Sequence, residues 1–410
     1  MGAKMWGRLQ AVAITGATSE GLMLAALPLL AVSITVDPRE VALVNVVGQA
    51  PWLLCSLFAG LLIDRVRRET VLRFAYIGLT CAALILAVAT SIGLLTLPLL
   101  VVVAFAVTSA QVLGDGASGA LVPEIVPKDQ LPAANTRLQV IDRGLVQFVV
   151  PPATGALMTL APGVPVWAAC VAALAAFVLT RGIRAASDAP VGTYSLRDMA
   201  AGVKHLLATP LLRSITITVA LGSFASGAAN TMLVLYATQE LHLGPVGYGV
   251  LLACMAVGWV ASSFIVGWIV ARLGYSMSMR IAQTATAVVL LLIAGAPPWA
   301  PAVGALLALM TAVTLVWNVC SQSSRQLHTP SRLLGRVLTS HRALAWGLTP
   351  LGALAGGLVA AELGLREVWV MSSAFQAVGA VIVWCTLSPA AFARTAMSLD
   401  SAHTRQDAAE

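Results

Sequence analysis

Gly60-Leu-Leu-Ile-Asp64-Arg65-Val-Arg67-Arg68 is a short burst of charge between two long apolar runs. Residues 41–63, before it, hold no charged side chain, and residues 74–114, after Arg73, hold none either. At about 1.5 Å of rise per residue, the first run is long enough to cross a hydrocarbon core of ~30 Å. A helix, a basic turn and a second helix is therefore the local reading, with lipid as the solvent. Barrel strands would be segments of ~10 residues in which polar and apolar side chains alternate one by one, and that pattern is absent.

The rest of the chain repeats this unit. Charged residues make up 10% of the 410 positions and apolar residues 59%, too little polarity to clothe a soluble protein of this size. Apolar runs fall near 9–34, 41–63, 69–91, 97–121, 133–160 and 163–183, then near 211–238, 245–271, 276–295, 300–322, 335–361 and 367–388. The expected fold is all-α and integral to the membrane, with about twelve spans in two six-helix bundles. The bundles occupy 1–185 and 210–390, joined by a polar linker at 186–209 and followed by a polar tail at 391–410. Met1–Arg8 leads into the first span and lacks the small-residue cleavage site of a removable signal.

Basic residues decide orientation. Arg65, Arg67, Arg68 and Arg73 flank the second loop, Lys128 and Arg137 the fourth, and Arg181, Arg184, Arg197, Lys204 and Arg213 the linker. Arg272 and Arg280 flank the eighth loop, and Arg325, Arg332 and Arg336 the tenth, whereas the odd loops hold only Arg39 and Arg366. Positive charge stays inside, so both termini and the linker are expected in the cytoplasm of a cell membrane. Because Lys and Arg sit in short loops rather than on one polar face, nucleic acid is not the expected partner.

The halves resemble each other. Pro127, Arg143, Pro152 and Gly155 follow one another much as Pro330, Arg342, Pro350 and Gly352 do, and Gly60–Arg65 parallels Gly267–Arg272. Internal duplication of this kind accompanies transport sites placed between repeats.

Gly60, Asp64, Arg65 and Arg68 match, residue by residue, the G-x-x-x-D-R-x-x-R loop of the major facilitator superfamily, which the chain resembles over nearly its full length. Leu121-Val-Pro123-Glu124-Ile-Val-Pro127 and the segment ending His205-Leu-Leu-Ala-Thr-Pro210-Leu-Leu-Arg213 are similar to the branch holding the enterobactin exporter and related drug exporters. The resemblance implies that Gly60, Asp64, Arg65 and Arg68 form a conformational latch. In Val150-Pro151-Pro152-Ala-Thr-Gly155-Ala156, Pro152 and Gly155 match the end of the antiporter motif of drug exporters, but Pro151 and Ala156 stand where that motif has glycines.

Charges inside the spans carry the functional expectation. Glu20, Asp115 and Asp142 are the candidates for proton coupling, with Arg143 and Arg342 as candidates for charge pairing. A charge at the centre of a spanning helix costs about 2.5–3.5 kcal/mol even on insertion scales, so such groups pair or line water. A carboxyl moved into a low-dielectric setting favours its neutral form, which lets it take and release a proton near neutral pH. Polar and aromatic span residues in the second half are Asn230, Gln239, Asn318, Gln322, Gln376, Trp259, Trp317 and Trp346; Asn230, Asn318, Trp317 and Gln322 are candidates for a substrate cavity.

Other chemistries find little to build on. Cys55, Cys81, Cys170, Cys254, Cys320 and Cys385 lie singly in apolar segments, with neither metal-site spacing nor a disulfide pattern. No phosphate loop ending in Gly-Lys-Ser/Thr occurs, so ATP is not the expected energy source. No cofactor, metal or enzymatic activity is expected. The expected function is export of a small amphiphilic molecule (a drug, an antibiotic or a siderophore-like compound) by a monomer using alternating access and proton exchange. A nutrient importer on the same fold, or a membrane sensor without transport, are the alternatives.

Overall fold

A computed structural model describes residues 2–127, 130–131, 134, 137–138, 140–141, 144–183 and 196–392; the side chains of 53–65 and of a few other helical residues lie outside that description. The described chain is all-helical, and it separates into two compact units. The first comprises Met1–Thr193 and Leu233–Ala253, the second Tyr194–Met232 and Cys254–Glu410.

The first unit begins with α1 (Gly2–Ile34), α2 (Pro38–Arg65), α3 (Arg68–Ser91) and α4 (Leu97–Ile125). Asp37 opens α2: its carboxylate accepts the backbone N–H of Arg39 at 2.8 Å, satisfying a donor the helix cannot. A π-helical turn, Gly144–Val149, leads into α5 (Val150–Met158), and α6 (Val164–Thr180) follows. Pro151 and Pro152 bring no N–H, so the carbonyls a turn earlier have no i+4 donor, and the chain widens there. Sequence periodicity reads 133–160 as one span; from residue 144 on the chain stays helical, passing from the π-helical turn straight into α5. α2 packs along α4, α3 against α4 and α6, and α1 against α5 and α6. Leu9, Val12, Leu72, Leu121 and Ile183 form a fully covered core at one end.

The second unit contains α7 (Leu196–Ala208), α8 (Pro210–Leu235) up to Met232, and α9 (Pro245–Gly295) from Cys254. It continues with α10 (Ala300–Leu327), α11 (Ser331–Trp346), α12 (Thr349–Glu362) and α13 (Leu365–Thr386). Two joints here are local. The runs near 245–271 and 276–295 are two helices, as expected, turning at Gly274, whose φ of 70° and ψ of 168° suit a residue without Cβ. The run near 335–361 remains one candidate span, Arg336–Glu362, with a turn at Gly347 and Leu348 just before Pro350. α7 docks on α11, with Leu206, Leu212 and Val337 closing a small apolar cluster.

Eight helices in the described chain are long and apolar enough to cross a membrane, and Gly144–Met158 and Val164–Thr180 are shorter apolar helices. The eight do not include α2, part of whose side chains lie outside the description, and they count α9 once. Their outer faces are apolar: Phe264 is 82% exposed and Trp268 64%, an arrangement water would penalise and lipid rewards. Threonine hydroxyls turn inward on their own helices, as Thr80 does by donating to the Tyr76 carbonyl at 2.7 Å.

Candidate functional site

The first unit contains a partly open cavity of about 520 Å³. Ala13, Gly16, Ala17 and Glu20 of α1 line it at the i, i+3, i+4, i+7 spacing of one helix face. Gln111, Gly114, Asp115 and Ser118 do the same from α4, and Tyr76 enters from α3. Small residues make the space. A Cβ on Gly16 would collide with the Tyr76 ring, so the absence of a side chain there lets the phenol lie beside the turn that carries Glu20. Glu20 is half-buried and Asp115 is exposed toward open space. Two of the three proton-coupling candidates are thus on one cavity wall; the third, Asp142, lies outside the described residues together with Arg143. Tyr76 and Gln111 had no signal in the sequence, since a tyrosine or glutamine in an apolar helix is ordinary.

The loop motif is described in part. The backbone of Gly60, Asp64 and Arg65 continues α2, while their side chains fall outside the description. Arg68 forms an ion pair with Glu124 and donates to the Ala120 carbonyl at 3.0 Å, tying the start of α3 to the end of α4. Glu69, 4% exposed, faces Arg67 with Nε to Oε1 at 3.4 Å. Glu124 lies past the apolar span Leu97–Val122, and burial pushes its carboxyl above 4.5, against the pull of Arg68 and with a smaller push from Glu69.

Gly155 is buried where a Cβ would strike the carbonyl of Pro245, and Gly249 approaches the backbone of Pro151 and Pro152 in the same way. Pro152 and Gly155 therefore belong to a backbone-to-backbone contact within the first unit.

The second unit has its own cavity of about 220 Å³, lined by Thr218, Gln283, Trp317, Asn318, Trp346 and Gln376 among others. Trp317 and Asn318 come together there as substrate-cavity candidates; Asn230 and Gln322 are exposed and do not line it. Gln283 and Thr218 are among the wall residues the sequence reading missed. Arg342 places its guanidinium 5.5 Å from the ring centre of Trp346.

Helices of this length and polarity, with a cavity that carries two carboxyls in one unit and a polar, aromatic cavity in the other, define a multi-pass membrane transporter. The sequence profile of the transmembrane secretion effector family, part of the major facilitator superfamily, matches residues 10–408, and the chain belongs to that family. It is 26% identical over 386 residues to the multidrug efflux pump Tap of Mycolicibacterium fortuitum, covering 88% of this chain and 90% of Tap. It is 25% identical over 348 residues to an uncharacterized MFS-type transporter, y4rN, of Sinorhizobium fredii (strain NBRC 101917 / NGR234), covering 81% and 82%. Among solved structures, a bacterial homologue of the iron transporter ferroportin in an inward-facing state superposes with a TM-score of 0.75 at 16% identity, covering 94% of this chain and 99% of that one. A point mutant of the nucleoside transporter NupG gives 0.72 at 12% identity, covering 94% and 100%. At these identities the two structures speak for the fold alone.

Proposed function

We propose that this protein exports a small amphiphilic molecule by alternating access, exchanging it for protons carried by Glu20 and Asp115. The observation that carries the reading is the placement of both carboxyls, from α1 and α4, on one cavity of the first unit. A carboxyl held in a water-filled recess inside a membrane can bind a proton on one side and lose it on the other. The likeness to Tap, a multidrug efflux pump, supports the outward direction.

The test is accumulation of a fluorescent amphiphilic compound in cells with and without the protein, before and after a protonophore. The expected result is lower accumulation that the protonophore abolishes. Glu20→Gln should cut gradient-driven export by at least about tenfold, the scale on which positioned proton-transfer groups act, while the protein remains in the membrane. Undiminished export by that variant would remove Glu20 from the mechanism, and higher accumulation with the protein present would reverse the direction.

A further inference from the structure

We propose that the cavity of the second unit is a recognition subsite for a neutral ring rimmed with hydroxyls, a glycosyl-type group carried by the exported molecule. The inference rests on the transporter reading above and names the chemistry that transporter recognises. At about 220 Å³ the cavity is smaller than the ~300–1,000 Å³ that houses a drug-sized ligand, so it takes one ring of a larger molecule. None of the described side chains that line it is charged, in contrast to the first unit's cavity with Glu20 and Asp115. An ion entering this space would give up hydration and find no counter-charge in the wall, so the wall selects a neutral guest.

The polar groups of the wall point in fixed directions. Gln283 and Gln376 are 3% and 7% exposed. Gln283 donates through Nε2 to the backbone carbonyl of Gln376 at 3.0 Å and to its Oε1 at 2.6 Å. A backbone carbonyl only accepts, so this contact sets which end of each amide faces its neighbour. Gly379 makes the room, since a Cβ there would lie 2.6 Å from Gln283 Nε2. The pairing leaves Gln283 Oε1 as a spare acceptor and the Gln376 NH₂ as a spare donor among the described residues. Thr286 and Thr314 give their hydroxyl protons to the carbonyls of Ala282 and Met310, which leaves their oxygens as acceptors. Asn318, an exposed carboxamide in the same wall, adds one group of each kind. A hydroxyl both donates and accepts, so a ring bearing several of them meets this wall in both senses. A carbonyl or an ether only accepts, and it would leave the acceptors of the wall unpaired.

The apolar part of the wall fits the same guest. Trp317 and Trp346 bring two indoles to it. The face of an aromatic ring is its negative side and attracts the positive end of C–H bonds. A pyranose turns a face of C–H groups outward and keeps its hydroxyls at the rim, which matches indoles set beside carboxamides. Indoles attract cations too, but Arg342, exposed and outside the wall, already holds its guanidinium 5.5 Å from the ring centre of Trp346.

The experiment is equilibrium binding of tritiated phenyl β-D-glucopyranoside to the full chain in phosphatidylcholine nanodiscs, with empty nanodiscs as the blank. Three competitors keep the size of the ring and change its chemistry: the glucuronide, the 6-amino-6-deoxy glucoside and cyclohexyl phenyl ether. Saturable binding is expected, with each competitor at least about tenfold weaker than unlabelled glucoside. Gln376→Met removes the spare donor and should weaken the glucoside several-fold. Asn318→Asp keeps the side chain's shape and adds a counter-charge, so it should move the preference to the amino analogue; a merely structural asparagine would not exchange one specificity for another. Absence of saturable glucoside binding overturns the subsite, as does a charged analogue or the ether competing as well as the glucoside. Wild-type selectivity in both variants overturns it too. Binding is read without a gradient, so selective glucoside binding alongside undiminished export by Glu20→Gln would sink the coupling reading and spare the subsite. Protonophore-sensitive export without glucoside selectivity would do the reverse.

Discussion

Single residues were legible in this sequence where they broke a rule and hidden where they kept it. Glu20 and Asp115 stand out because charge in an apolar run is costly, and both reach the same cavity. Thr218 and Tyr76 are unremarkable by type; only the missing partner of one and the Gly16 recess holding the other mark them. Glu124 was readable as part of a loop likeness, but its pairing with Arg68 joins positions far apart in the chain. That pair carries a pH dependence. Because burial raises the Glu124 carboxyl above 4.5 in the folded protein, the folded state holds this proton more tightly than the unfolded one. Its contribution to stability is complete below pH 4.5 and is lost as pH rises through the folded-state value. Glu124→Gln cannot titrate, so it should flatten that part of the curve. Thermal midpoints in detergent from pH 4.5 to neutrality check it; a variant that tracks the wild type would refute the assignment.

At the scale of elements, apolar runs were readable because length and composition suffice to call a spanning helix. Their interior geometry was not readable: the π-helical turn before Pro151, the one-residue width of the joint at Gly274 and the turn at Gly347 all depend on which backbone groups find partners, and hydropathy does not register that. Gly155 shows how an element's packing concentrates in one position. Its contact with the Pro245 carbonyl leaves no room for a side chain, so Gly155→Val must separate the segments, with a cost of about 1–3 kcal/mol for the forced shift. The expected outcome is reduced export with normal membrane insertion, together with faster thiol labelling of a cysteine placed at Val246 in a cysteine-free background. Unchanged labelling would mean that the contact is not maintained in the membrane.

For the whole molecule, the arrangement of arginines between apolar runs predicts the topology that the fold alone does not state. A green fluorescent protein fused after Glu410 should fluoresce, and alkaline phosphatase at the same point should stay inactive, because both termini are expected inside. The reverse pattern would invert every loop. Internal likeness leads to an expectation of halves at 1–185 and 210–390, whereas the two compact units place Leu233–Ala253 with the first, an assignment that arises from packing between distant stretches and has no local signal. The junction at Gly274 has a practical corollary. Proteases need several residues of extended, accessible chain, and helix runs into helix there with one residue between. Digestion used to map which loops face which compartment should therefore cut this turn more slowly than the longer loops, so an uncut Gly274 says nothing about the side it faces.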